Sequence, residues 1–92
     1  MIARLATEGQ YRLADEAATR LNELDNEAVA AVERGDADAL AALLAQMHDL
    51  VAARGEAVPH EELATSDVII PPPDTTLEQA RAEFSGDGLI PD

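Results

Sequence analysis

The chain has no cysteine, no lysine and no tryptophan, and its aromatic residues are Tyr11 and Phe84 alone. The first absence excludes disulfides, thiolate metal sites and cysteine nucleophiles. No apolar run approaches the ~18 residues of a membrane span, and no basic N-terminal stretch leads into an apolar one. A soluble, cytoplasmic protein is therefore expected. Positive charge is scarce: six arginines face 19 acidic residues in 92, a formal charge of −13. Such a surface repels nucleic-acid phosphates and anionic lipid headgroups, which argues against nucleic-acid binding and direct membrane insertion. The imbalance is uneven, with a net −5 over residues 1–54 and −8 over residues 55–92. A basic protein partner would find a complement in the second region. The acids also serve as plain solvating surface, and the lack of lysine suits a salt-adapted or GC-rich genome.

What the chain does have is a helical hairpin over residues 16–54, folded at Gly35. Ala17, Leu21, Leu24, Ala28, Ala31 and Val32 recur at steps of three and four, one face of a helix. Leu40, Leu43, Leu44, Met47, Leu50 and Val51 do the same in the second helix. Asp15 and Asp36 stand at N-cap positions, and Arg34-Gly35 and Arg54-Gly55 close the two helices. The short link at Gly35 leaves only an antiparallel arrangement. Ala28, Ala31, Ala39, Ala42 and Ala45 let the helices come close but bury little area. The hairpin therefore needs the rest of the chain, or a partner, to cover it.

Those flanking regions predict a single α+β domain over residues 1–92. Residues 1–14 read as a β-hairpin, with Ala3 and Leu5 on one face of the first strand and Ile2 and Arg4 on the other. Glu8-Gly9 makes the turn, and Tyr11 and Leu13 share a face opposite Gln10 and Arg12. Pro59 to Leu63 suggests one helical turn. Val68-Ile69-Ile70 is a short buried or edge strand, stopped by Pro71-Pro72-Pro73. Two overlapping capping boxes, Thr75 with Glu78 and Thr76 with Gln79, open a short helix to about Phe84. Leu89-Ile90-Pro91 is apolar for a terminus and is expected to dock.

Catalytic equipment is hard to find. His48 sits at the edge of the second helix's stripe and His60 in the His60-Glu61-Glu62 cluster, without the spacing that sets two imidazoles on one helical face. Ser66 and Ser85 lack a nucleophile-elbow context, and Gly86-Asp87-Gly88 lacks the lysine and helix start of a phosphate loop. Asp25-Asn26-Glu27 and Asp36-Ala37-Asp38 lack the ligand spacing of a calcium loop. No catalytic residue, metal site or cofactor is expected.

Four stretches carry a resemblance: Met1-Ile2-Ala3-Arg4 with Gly9-Gln10-Tyr11; Val32-Glu33-Arg34-Gly35-Asp36; Ser66-Asp67-Val68-Ile69-Ile70-Pro71; and Gly88-Leu89-Ile90-Pro91. In order and spacing they resemble the PspA-associated family, PspAA, across nearly the whole chain. The chain departs from that pattern in a first strand poor in β-branched residues and in its ending, Pro91-Asp92. The resemblance implies a non-catalytic accessory of a PspA-type envelope-stress (phage-shock) protein, reaching the inner face of the membrane through that partner. It also implies protein-interaction roles for Gly9, Gln10, Tyr11, Ser66, Asp67, Val68, Ile69, Ile70, Pro71, Gly88, Leu89, Ile90 and Pro91. Each of these residues has a plain alternative as part of a turn, a buried strand or a docked tail.

Two function classes remain: an adaptor or regulator binding a PspA-like helical protein, and a self-assembling homodimer. The homodimer would form through its alanine-rich helices or the Val68–Ile70 edge. An enzyme would need His48 and His60 to meet in one cleft.

Overall fold

The computed structural model describes residues 1–6, 9–59 and 65–83. Along the chain run β1 (Ile2–Leu5), β2 (Gly9–Arg12), α1 (Asp15–Arg34), α2 (Ala37–Arg54), β3 (Glu56–Ala57), β4 (Val68–Ile70) and α3 (Leu77–Glu83). The class is α+β, as expected. The strands form one sheet in the order β3-β2-β1-β4, with β1 antiparallel to β2, β2 antiparallel to β3, and β1 parallel to β4. The α1–α2 hairpin packs on one side of that sheet, and α3 packs on α1.

Helical periodicity places the core. All six stripe residues of α1 are buried, as are Leu40, Leu44, Met47 and Val51 of α2. Ala28 and Ala31 are wholly buried, so the axes do approach through small side chains. The alanine seam is one-sided, however. Ala39 and Ala45 are half-buried and Ala42 is exposed, because α2 turns Ala42 away from its buried stripe. Ala3, Leu5, Val68 and Ile70 close the core from the sheet, and Ala80 from α3.

Gly35 ends α1 in the left-handed region at φ 71°. Its N–H donates to the Val32 carbonyl at 3.1 Å, and the Asp36 N–H donates to the Ala31 carbonyl at 2.9 Å. This is the paired arrangement that satisfies the last helical carbonyls. Asp36 then caps α2, its carboxylate accepting from the Ala39 N–H at 3.0 Å. An added Cβ at Gly35 meets nothing within 4 Å, so Gly35→Ala should cost only the left-handed backbone term. That is about 1 kcal/mol, a drop of about 4–8 °C in thermal unfolding followed by circular dichroism.

Two local expectations need correction, and a third is met in another conformation. Ala14, not Asp15, is the N-cap of α1 and offers no side-chain bond. Asp15 is instead the first helical residue, where its charge still favours the positive end of the helix dipole. Gly55 closes α2 as expected, but in an extended conformation, at φ −86° and ψ 155°, because the chain runs straight on into β3. Of the two capping boxes only Thr76–Gln79 forms, with reciprocal bonds of 3.0 and 3.2 Å. Helix α3 begins at Leu77, so Thr76 takes the cap position. Thr75 turns back, its hydroxyl and N–H both donating to the Pro72 carbonyl at 2.6 and 3.0 Å. The expected turn from Pro59 to Leu63 falls, beyond Pro59 itself, on residues 60–63, and the Phe84 end of the last helix and the docked tail on residues 84–92. All lie outside the described residues.

Candidate interaction surface

Strand alternation divides the sheet into two sides. Ala3, Leu5, Val68 and Ile70 point to the helices, while Ile2, Arg4, Gln10, Arg12 and Ile69 belong to the opposite side. Register builds rows across that open side. Arg4 pairs with Gln10 on β2 and with Ile69 on β4, giving Gln10–Arg4–Ile69. Ile2 pairs with Arg12, which in turn pairs with Glu56 on β3. Ile69 is 59% exposed, the one large apolar side chain so exposed among the described residues.

The rim of this side is held by side-chain bonds between segments far apart in the chain. Gln10 Nε2 donates to Ser66 Oγ at 2.7 Å, reaching from β2 to the approach of β4. Asp67 clamps the start of β1: its carboxylate accepts from the Ile2 N–H at 2.7 Å, and its own N–H donates to the Ile2 carbonyl at 2.8 Å. The far end of β4 is secured from behind, where His48 Nε2 lies 2.8 Å from the carbonyl of buried Pro71. His48 thus ties α2 to β4.

The expected interaction residues therefore divide. Gln10, Ser66, Asp67 and Ile69 come together on the open side or its rim. Gly9 starts β2 at φ 100°. Tyr11 is half-buried against the core, and Val68, Ile70 and Pro71 turn inward. Gly88, Leu89, Ile90 and Pro91 lie outside the described residues. Arg4 and Arg12 were not among the expected residues, although the alternation of β1 and β2 already set them opposite Leu5 and Tyr11.

Away from the sheet, Asp25 is wholly buried in α1 among Leu21, Leu24 and Ala28. Among the described residues no buried side-chain polar atom lacks a partner, and no group of three or more His, Asp or Glu is placed to hold a metal. The hollow at the α1–α2 turn, lined by Arg34 to Asp38, is a solvent-open depression whose Ala39 N–H is already taken by Asp36. No described helix is long and apolar enough to cross a membrane.

A family model described as PspA-Associated protein, PspAA, matches residues 1–92, the whole chain. No curated protein and no solved structure matches it.

Proposed function

The chain belongs to the PspA-associated family, and from that premise we propose that it is a non-catalytic adaptor binding a PspA-type helical protein through its open sheet side. Exposed Ile69, set in a row with Arg4 and Gln10, carries this reading. An isoleucine kept in water beside exposed Arg4 gives little to the fold but a good deal to a contact. The chain's net charge of −13 would steer a basic helical partner toward the domain as a whole. The protein would work in the cytoplasm and meet the membrane's inner face through that partner.

Ile69→Asp tests the proposal, because the position is exposed and the monomer should keep its fold. Titration calorimetry against the PspA-like protein of the same organism should show binding weakened at least ~10-fold, the worth of one buried isoleucine. Affinity should also fall as salt is raised, through screening of the −13 charge. Unchanged affinity of the variant would remove the sheet side from the interface.

A further inference from the structure

Helix α2 carries three charged side chains in 18 residues, Asp38, Asp49 and Arg54, against eight in the 20 residues of α1. A helix buried along one stripe is normally polar elsewhere. Helix α2 instead exposes Ala37, Ala41, Ala42, Ala52 and Ala53. Beside its core stripe runs a second row, Ala39, Leu43, Gln46, Leu50 and Ala53, at alternating steps of four and three. That is the spacing of a helix-pairing seam. Leu43 and Leu50 rest against the core but keep part of their surface in solvent, and Gln46 and Ala53 are exposed.

The row reads Ala-Leu-Gln-Leu-Ala in both directions. We propose that it is a self-association surface on which α2 of a second copy packs antiparallel, about a two-fold axis at Gln46. A two-fold contact requires a patch that complements itself. Reversal sets Leu43 against Leu50 of the second copy and Gln46 beside its own equivalent, while the alanines allow axes roughly 8 Å apart. Antiparallel packing also brings Arg54, at the end of one α2, level with Asp36 and Asp38 at the start of the other. Opposite charges then meet between opposed helix dipoles. Asp49, the remaining charge of α2, falls level with Leu43 of the second copy, so the acids do not face one another.

Sedimentation equilibrium of the full chain tests this, with circular dichroism confirming that each variant is folded. A reversible dimer of the 9.7 kDa chain is expected. Because Gln46 is exposed, two substitutions can pull in opposite directions. Gln46→Glu places two carboxylates at the axis and should weaken the dimer about tenfold. Gln46→Leu completes the apolar row and should tighten it about tenfold. Salt should strengthen the dimer, since each copy carries −13, which is the reverse of binding to a basic partner. A monomer at all concentrations up to roughly 1 mM overturns the proposal. So does a dimer whose constant neither variant moves.

Discussion

Gly55→Ala is expected to destabilise the fold by roughly 3 kcal/mol and to lower the unfolding temperature by more than ~10 °C. The cause is not backbone conformation, since φ −86° and ψ 155° suit any residue. It is space. A Cβ at this position would stand 2.5 Å from the Val51 carbonyl oxygen, 2.8 Å from Tyr11 Cβ and 3.3 Å from Leu13 Cδ2. The first two cannot swing aside. The Val51 oxygen accepts the Gly55 N–H at 2.8 Å, the last bond of α2, and Tyr11 is held in register with Ala3 on one side and Ala57 on the other. Relief requires the end of α2 to lift from β2. Strand β3 begins at the next residue, so its pairing with Tyr11 and Arg12 would go as well. Thermal unfolding by circular dichroism reads the effect directly. A shift of under ~3 °C, less than Gly35→Ala should give, would mean that the helix–sheet junction has slack.

Gly55 also shows where a sequence stops being readable. At Gly35 the reason for glycine is local: the Ala31 and Val32 carbonyls accept the N–H groups of Gly35 and Asp36, and the pattern Arg-Gly-Asp between two stripes announces it. At Gly55 the same pattern stands after the second helix, yet beside the Val51 carbonyl the reason lies in Tyr11 and Leu13, more than 40 residues away. Strand β3 was missed for a related cause. Glu56 and Ala57 are both exposed, so no alternation marks them, and only pairing with β2 makes them a strand. Val68–Ile70 was legible as a strand from its apolar β-branched run, but three residues carry no signal for being parallel to β1. Asp25 hid behind its charge: it stands four residues after Leu21 and three before Ala28, within the stripe, and only its polarity argued against burial. For the interaction surface, the motifs Gly9–Tyr11 and Ser66–Pro71 were visible singly. That Gln10 and Ser66 would meet across β1 depends on strand order, which no local pattern records.

Ile70→Ala should cost roughly 3–4 kcal/mol in urea unfolding, whereas Ile69→Ala should cost less than ~0.5 kcal/mol. The two residues are neighbours in one short strand and differ only in the side to which they point. Ile70 is wholly buried and in register with wholly buried Leu5, so truncation leaves a cavity between sheet and helices. The strand has little in reserve against that loss. Among the described residues it pairs with β1 alone, and Pro71 to Pro73, lacking N–H groups, cannot extend it. Loosening β4 would also strain the Asp67 clamp on Ile2 and the Gln10–Ser66 bond, adding to the cavity term. Ile69 has no such role, since its side chain is mostly in water. A small stability change at Ile69 combined with a large loss of partner binding would separate folding from recognition within two adjacent residues. Equal stability losses at both positions would mean that β4 is covered on both sides within the single chain, and Ile69 would then no longer mark a surface left for another protein.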